Sequence, residues 1–295
     1  MKALIATAEF LIVATPIVGL TTFLTSYMFK KGYFIEMSRR IKPILIKLRV
    51  SSLLITSALI SAISPIAGYS LLAESLRQKK LDERDVIAAS FMNSFPALLN
   101  HLPSLIPILA PIGLVGIIYL FTRVIVSGSK SLGGVIYARK RFNESDFESN
   151  PIGKEEVDPL NSTIRMLVRV LPVMGVTFFI ACLLTEMGFF DKLAELLNFI
   201  PLNPYVLMIA LTEFMSLSAA VALTASLISA GKIGFKWALT GLLLGNVVSF
   251  STKYIKHSLP LHLSLFGKLG VKIVLLNALA SLLLDLAVIA VVLTI

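Results

Sequence analysis

Two polar clusters interrupt an otherwise apolar chain. The first lies in FMNSFPALLNHLP (residues 91–103) and the second in GNVVSFSTKYIKHSLPLH (residues 245–262). Their amides and hydroxyls form hydrogen bonds, and their prolines leave backbone carbonyls without a helical donor. Such groups suit a binding site for a polar solute, or for an ion that sheds part of its hydration. The candidate substrate-binding residues are Asn93, Ser94, Pro96, Asn100, Asn246, Ser249, Ser251 and Thr252.

The same residue types also have a purely structural use. Ser, Thr and Asn side chains hydrogen-bond neighbouring membrane helices to each other without touching a ligand. For any single serine this structural interpretation is the better one. Two clusters at matching places in the chain favour a shared binding site instead.

Carboxylates inside apolar stretches form a second class of candidates, because a charge at bilayer depth is costly and often functional. Glu213 lies well inside one apolar run, and Asp285 lies in the middle of the last one. We predict that both take part in ion or proton coupling. For Asp285 an ion pair with Lys272 or Arg123 is the alternative.

Catalytic and metal-binding patterns are missing from the sequence. It contains no P-loop, GxSxG or HExxH motif, and His101, His257 and His262 do not have the spacing of metal ligands. Cys182 is the single cysteine, so an intramolecular disulfide is excluded. We therefore predict a protein that is not an enzyme and that uses neither a cofactor nor a metal site.

The composition places these groups in a membrane. The 295 residues are 56% hydrophobic and 15% charged, with a mean hydropathy of +0.87. Continuous apolar runs of about 20 residues recur, the length that crosses a bilayer as a helix. We predict an all-α polytopic membrane protein. The net charge of +10 then belongs to loops beside the anionic cytoplasmic leaflet, and not to a nucleic-acid surface.

The apolar runs predict nine helical segments. The first run is longer than the core of a signal peptide, so we interpret it as a retained helix. The predicted segments are 4–29, 51–76, 84–100, 104–127, 163–187, 203–229, 234–251, 257–267 and 270–294. Two amphipathic segments, 33–49 and 189–200, are expected to lie in the membrane interface.

The order of these segments is the same in the two halves of the chain. TPIVGLTTF (15–23) matches LPVMGVTFF (171–179) at a separation of 156 residues, and Asn93 matches Asn246 at 153. Internal repeats of this kind are common in transporters. The predicted organisation is repeat 1 (1–141), a linker (142–161) and repeat 2 (162–295).

Charge gives the two repeats opposite orientations. Residues 30–49 hold seven Lys or Arg, whereas the matching residues 188–203 hold only Lys192. The positive-inside rule then places the first segment in the cytoplasm and the second outside. The linker is predicted to be cytoplasmic and both chain termini external.

This topology requires a segment that does not cross the membrane. Residues 50–127 start and end on the cytoplasmic side, yet they hold three apolar segments. One of these must therefore enter the membrane and return. The short, proline-broken stretch 84–111 is the best candidate, with 234–267 as its counterpart. We predict two re-entrant hairpins whose polar tips face each other at the midplane.

Residues 67–123, AGYSLLAESLRQKKLDERDVIAASFMNSFPALLNHLPSLIPILAPIGLVGIIYLFTR, resemble a known family. With Ala67-Gly68-Tyr69 and Asn93-Ser94-Phe95-Pro96 as characteristic pieces, the stretch is similar to archaeal integral membrane proteins of the Gate-domain, or nucleoside-recognition, group. That group is distantly similar to ferrous-iron transporter membrane cores and to concentrative nucleoside transporters. The resemblance implies an inverted-repeat transporter core with re-entrant hairpins. GTP coupling is not implied, because the sequence holds no P-loop.

The sequence therefore predicts a secondary transporter or permease in the cell membrane. Its expected substrate is a small polar solute, such as a nucleoside-like metabolite, bound at the midplane between the two tips. A metal or inorganic-ion transporter is the alternative within transport. A non-transporting membrane scaffold or a lipid-handling protein is the alternative outside it. The expected partners are this solute or ion and the lipid bilayer. The sequence is compatible with a homo-oligomer, and binding of nucleic acid is not expected.

Overall fold

The computed structural model of the protein describes residues 2–31, 50–140, 158–188, 202–249, 254 and 258–294. All regular structure in these ranges is helical. The helices are α1 (Lys2–Lys30), α2 (Ser52–Ser61), α3 (Pro65–Arg77), α4 (Glu83–Met92), α5 (Ser94–Leu109), α6 (Leu114–Arg139), α7 (Pro159–Glu186), α8 (Pro204–Met215), α9 (Leu217–Ser229), α10 (Phe235–Val248), α11 (Leu259–Phe266) and α12 (Lys268–Thr294). The predicted amphipathic segments and most of the predicted linker lie outside the described residues.

Three helical stretches of the described residues are long and apolar enough to cross a membrane. The first consists of α4, α5 and the 3₁₀ turn that follows them (Glu83–Ile112). The other two are α6 and α12. Helices α8, α9 and α10 are apolar but shorter. These are the features of the all-α membrane class that the composition predicts.

The predicted helix break between residues 100 and 104 is wrong. Helix α5 continues through Pro103 to Leu109, and the chain turns only at residues 110–113. Asn93, at the junction of α4 and α5, keeps helical dihedral angles (φ −72°, ψ −8°), so the chain does not reverse there. Membrane helices tolerate proline where neighbouring groups satisfy the freed carbonyl. The first polar cluster is therefore a kink inside a helix and not the tip of a hairpin.

Helix α6 supplies the group that repairs this kink. Pro96 has no N–H, so the Met92 carbonyl loses its helical donor. The Ser131 hydroxyl donates to that carbonyl at 2.8 Å and accepts from the Phe95 N–H at 2.9 Å. Helix α6 thus returns along α4 and α5, and it continues to Arg139 instead of ending near residue 127.

Helices α2 and α3 form a short helical hairpin. The chain turns at residues 62–64, and the Ser57 hydroxyl of α2 donates to the Gly68 carbonyl of α3 at 3.1 Å. The two helices have 10 and 13 residues, which makes each roughly 15–20 Å long and too short to cross a ~30 Å hydrocarbon core. Helices α8 and α9, of 12 and 13 residues, form a second short pair. They are separated by Ser216 in an extended conformation (φ −163°, ψ 129°).

The two halves of the chain share their hydrophobic cores. Val115 and Tyr119, near the start of α6, pack into a cluster built mainly from α8, α9 and α10. Leu269 and Ile273, near the start of α12, pack into a cluster built mainly from α2, α3 and α4. Helices α6 and α12 also contact each other, and α1 packs along α7. Neither half therefore has a core of its own.

Helices α6 and α12 begin with the same backbone geometry. Gly113 has φ 55° and ψ −125°, and Gly267 has φ 58° and ψ −132°. Glycine adopts these positive φ values without the clash that a Cβ atom brings. Three residues further on, Gly116 and Gly270 allow each helix to approach a backbone carbonyl of the preceding helix, of Leu109 and His262 respectively.

Candidate functional site

A polar cavity of ≈ 250 Å³ lies where α5, α6, α11 and α12 come together. It combines hydroxyl, amide, imidazole and cationic groups, and side chains from both halves of the chain line it. The polar and ring-bearing lining residues are Tyr69, Ser94, His101, Arg123, Ser127, Lys130, Tyr254, Ser258, His262, Asn277 and Ser281. No carboxylate is among the described residues that line it.

An ion pair joins the two halves beside the cavity. Arg123 of α6 contacts Asp285 of α12, with Nη1 and Oδ1 2.8 Å apart. The second carboxylate oxygen accepts from the Asn246 side-chain amide at 2.6 Å. The Asp285 side chain is only 4% exposed. This fixed, buried carboxylate holds the guanidinium of Arg123 at the cavity wall.

Lys130 supplies a second cation. Its side chain is buried, and its Nζ donates to the Ser281 hydroxyl at 3.0 Å. The Tyr254 hydroxyl also reaches Ser281, at 2.7 Å, and Lys130 Nζ lies 6.0 Å from the centre of the Phe91 ring. Among the described residues, Lys130 has no carboxylate in ion-pair contact. Among the described residues, the charged groups in or beside the cavity are Arg123, Asp285 and Lys130, which together carry one net positive charge.

The side-chain amide of Asn277 connects α12 to α4 beside the cavity. Asn277 of α12 donates to the Ser90 hydroxyl at 2.9 Å and to the Ile273 carbonyl at 3.1 Å. Ser90 in turn donates to the Ile87 carbonyl of α4 at 2.7 Å. These bonds fix α12 against α4, and they orient the Asn277 side chain at the edge of the cavity.

Of the predicted residues in the first cluster, Ser94 lines the cavity. Asn93 is fully buried and donates to the Ser57 hydroxyl at 2.9 Å, and Asn100 donates to the Ile63 carbonyl at the α2–α3 turn. Both amides therefore brace the short hairpin. Pro96 does not line the cavity, and its missing N–H leaves the Met92 carbonyl to the Ser131 hydroxyl.

Asn246 and Ser249, the two described residues of the second predicted cluster, do not line the cavity. Asn246 contacts Asp285, as described above, and the Ser249 hydroxyl donates to the Asn246 carbonyl at 3.3 Å. Ser251 and Thr252 fall outside the described residues.

The two predicted coupling carboxylates have different surroundings. Asp285 forms the alternative predicted for it, the ion pair with Arg123. Glu213 is 3% exposed and lies away from the cavity, where its carboxylate accepts from the Tyr119 hydroxyl at 3.3 Å. Its side chain packs closely on Gly245 of α10. Glu213 therefore links α8, α10 and α6.

Lys130, Ser127, Ser281 and Tyr254 were not predicted as site residues. The sequence predicts the end of this helix near residue 127, which leaves Lys130 outside the predicted membrane segments, whereas the helix continues to Arg139. The signal that identifies the site is helical spacing: Arg123, Ser127 and Lys130 are four and three residues apart, so they share one face of α6.

The fold and the cavity define an all-α protein of the membrane class with a buried polar site between its two halves. The chain belongs to the same family as the uncharacterized protein MJ0871 of Methanocaldococcus jannaschii, to which it is 39% identical over 302 residues, covering 98% of this chain and 95% of the relative. The uncharacterized protein MJ0880 of the same organism is 23% identical over 278 residues, covering 88% and 89%. No family model matches the chain, and no solved structure matches it either.

Proposed function

We propose that the protein is a secondary transporter or permease of the cell membrane that binds a small polar solute in the cavity between two inverted repeats. The observation that carries the proposal is that matching residues of the two halves line one cavity. Arg123 and Asn277 are 154 residues apart, and so are Ser127 and Ser281. Transporters built from internal repeats bind their substrates at the interface between the repeats.

Reciprocal contacts between α1 and α7 support the repeat. Gly19 of α1 faces Leu167 of α7, and Gly175 of α7 faces Leu11 of α1. Gly19 and Gly175 are 156 residues apart, as are Leu11 and Leu167. A pair of contacts that exchange partners in this way is expected across a two-fold axis.

The short hairpins support the topology, with a change in which segment is re-entrant. We assign this role to α2–α3 and α8–α9 in place of 84–111 and 234–267. Residues 50–140 then hold one hairpin and two helical stretches long enough to cross, an even number of crossings. That number is what the charge distribution requires for a cytoplasmic linker and external termini.

The volume of the cavity and the charges of its lining residues limit the kinds of solute that fit it. The Gate-domain resemblance of residues 67–123 favours a nucleoside-like metabolite, and the ≈ 250 Å³ volume limits its size. Ligand pockets for drug-sized molecules are about 300–1,000 Å³. A metal cation is a poorer fit, because the lining cations Arg123 and Lys130 would repel it.

Uptake into proteoliposomes tests the proposal. Radiolabelled uridine, uracil, pyruvate and inorganic phosphate are the probes, each with and without a proton or sodium gradient. Ser127→Phe fills the cavity and is expected to abolish uptake of any transported probe. Ser129→Phe, two residues away on an exposed face, is the control and should preserve it. Equal uptake by both variants would contradict the cavity as the transport site.

The topology has its own test. In a Cys182→Ala background, Leu202→Cys should react with a membrane-impermeant maleimide from outside, and Lys140→Cys only after the membrane is opened. The reverse pattern at both sites would invert the orientation. If both cysteines react from the same side of the membrane, the two segments do not lie on opposite sides, and the proposed topology is wrong.

Lipid handling is the second candidate, and a groove of ≈ 650 Å³ between α4, α6 and α12 favours it. Leu276, Leu283 and Phe91 give the groove an apolar wall, while Arg84 and Lys272 add positive charge. Lys130 lines both this groove and the cavity. An acyl chain with an anionic headgroup matches this combination. Transfer of a fluorescent anionic lipid between vesicles that is blocked by Ser129→Phe, and not by Ser127→Phe, would favour this function.

A further inference from the structure

The distribution of charge around the central cavity deepens the proposed function. Three donor-bearing side chains, Arg123, Ser127 and Lys130, occupy one face of α6 and line one wall. The only carboxylate in contact with them among the described residues is Asp285, which is engaged by Arg123 and Asn246. Among the described residues, the wall therefore offers the N–H donors of Arg123 and Lys130 and a net positive charge.

Among the described residues, no carboxylate pairs with the positive charge of Lys130. Its ammonium has three N–H donors, and among the described residues the Ser281 hydroxyl is its hydrogen-bonding partner. A buried charge is costly unless it is paired and hydrogen-bonded. A ligand that brought one negative charge to Lys130 would balance the charges of the cavity.

The surroundings of Lys130 are suited to an oxygen anion. Ser281, which accepts from Lys130, is also 2.7 Å from the Tyr254 hydroxyl. Hydroxyl hydrogens rotate, so one of Ser281 and Tyr254 can donate to a bound oxyanion while the other donates across their 2.7 Å contact. The Ser127 hydroxyl donates to the Arg123 carbonyl at 2.8 Å, and the Asn277 amide nitrogen donates to Ser90 and to the Ile273 carbonyl. The side-chain oxygens of these two lining residues remain as acceptors for a hydroxyl group of the ligand.

We infer that the cavity binds a small solute carrying one oxyanion, a carboxylate or a phosphoryl group, seated against Lys130 with the Arg123–Asp285 pair beside it. This inference rests on the proposed function and narrows its solute class. A neutral nucleoside would leave the Lys130 charge unbalanced, whereas a small organic acid or inorganic phosphate would neutralise it.

Ligand-dependent thermal unfolding of the purified full-length protein tests this inference. The probes are sodium pyruvate, inorganic phosphate, uridine and, as an ionic-strength control, sodium chloride. A ligand that binds the native state raises the unfolding temperature by mass action. We expect pyruvate or phosphate to raise it and uridine and chloride to leave it unchanged. Pyruvate alone identifies a carboxylate site, and phosphate alone a phosphoryl site.

Three variants assign the effect to Lys130. Lys130→Met keeps the length of the side chain without its charge and should weaken anion binding at least tenfold. Lys130→Arg keeps the charge and should retain binding within a few-fold. Lys272→Met removes a lysine of the same neighbourhood that lies in the groove and not in the cavity, and it should bind as the wild type does. If Lys130→Met does not fold, loss of anion binding in Ser281→Ala replaces it.

The outcomes separate the inference from the proposed function. Equal stabilisation by uridine and the anions, or unchanged anion binding in both Lys130→Met and Ser281→Ala, overturns the anion site. Uptake of uridine without binding of either anion overturns it too, while the transporter stands. Anion binding that depends on Lys130, without uptake of any probe, supports the anion site and removes the transport function.

Discussion

Helices α6 and α12, one in each half of the chain, begin with the same backbone geometry and carry different charges. Gly113 and Gly267 start α6 and α12 with nearly identical dihedral angles. Side chains at matching positions differ: Ser131 of α6 corresponds to Asp285 of α12, and Arg123 corresponds to Asn277, at a separation of 154 residues. Among the described residues, the first half thus supplies Arg123 and Lys130, which line the cavity, and the second half supplies the carboxylate that pairs with Arg123.

This difference places a cation on α6 and a carboxylate on α12 where the two helices meet. An arginine on each helix would repel the other across this contact. Arg123 and Asp285 instead carry complementary charges, with Nη1 and Oδ1 2.8 Å apart, and among the described residues Lys130 is left as the excess charge. The two helix starts set the positions of the side chains, and the residue types at those positions set the polarity of the site.

Breaking the charge complementarity should have the largest effect on stability. Asp285→Asn leaves the Arg123 guanidinium, whose side chain is 22% exposed, without its carboxylate. Removing one partner of a buried ion pair costs about 3–5 kcal/mol, and we expect about 3 kcal/mol because the cavity hydrates part of Arg123. Denaturant unfolding in detergent, followed by circular dichroism, measures the loss.

The double variant Arg123→Met/Asp285→Leu is the matched control. It removes both charges and should recover most of the stability that Asp285→Asn loses, because a hydrophobic pair can replace a buried ion pair. A double variant less stable than the single one would mean that the two halves are not held together by complementary charge in this way.

The shared backbone predicts equal effects at matching glycines. A Cβ atom at Gly116 or at Gly270 would overlap a backbone carbonyl of the preceding helix. Gly116→Ala and Gly270→Ala should each destabilise the protein by about 1–3 kcal/mol, since backbone must move to make room. The unfolding free energies of both variants, measured side by side, test whether the two helix starts are equivalent.

Gly128→Ala is the control within α6. No atom lies within 4 Å of a Cβ placed there, and alanine is favoured over glycine inside a helix by up to about 1 kcal/mol. This variant should therefore be as stable as the wild type or more so. A loss at Gly270 alone would indicate that the two helix starts pack differently.

The helical class and the location of most helices were predictable from the sequence, whereas the faces of the helices were not. The prediction of 4–29 for α1 and 163–187 for α7 came within a few residues, because long apolar runs determine membrane helices locally. The sequence predicts a hairpin tip where the structure has a kink near Asn93, because Ser131, whose hydroxyl satisfies the backbone there, is distant in sequence. Polar residues in one cluster also pointed in different directions: Ser94 faces the cavity, and Asn100 faces the α2–α3 turn.

The sequence predicts some residues of the site and misses others, because it does not show which helices contact each other. Asp285 was selected because a buried charge is expensive wherever it lies, and that cost can be read from sequence. Its partner depended on how α6 and α12 cross, so Arg123 and Lys272 remained equal alternatives. Lys130 was missed because the polar turn-like letters Ser127-Gly128-Ser129 gave no sign that the helix continues.

Ser131 of α6 forms hydrogen bonds to the backbone at the kink near Asn93. Ser131→Ala removes both the donor to the Met92 carbonyl and the acceptor for the Phe95 N–H. The loss of these two hydrogen bonds at a buried kink should cost about 1–2 kcal/mol of unfolding free energy. Ser129→Ala, at an exposed position in the same helix, should change it by less than about 0.5 kcal/mol. Equal effects of the two variants would mean that α6 does not repair the kink.

The smallest effect concerns a turn that both halves build in the same way with different residues. After α3 and after α9, a backbone N–H bonds the carbonyl five residues earlier: Lys80 to Ser75 and Lys232 to Leu227, both at 2.9 Å. The residue before each donor has positive φ, which is 57° for Lys79 and 66° for Gly231. A side chain costs roughly 1 kcal/mol in this conformation, and glycine avoids that cost.

Exchanging the residue types at these turns should therefore change stability in opposite directions. Gly231→Ala has open space around its Cβ position, so backbone strain alone should lower the unfolding free energy by about 1 kcal/mol. Lys79→Gly relieves the strain but increases the freedom of the unfolded chain, so it should raise the unfolding free energy by only a few tenths of a kcal/mol. Thermal unfolding of both variants decides this. A stabilising Gly231→Ala would mean that the two turns, alike in hydrogen bonding, differ in their tolerance of a side chain.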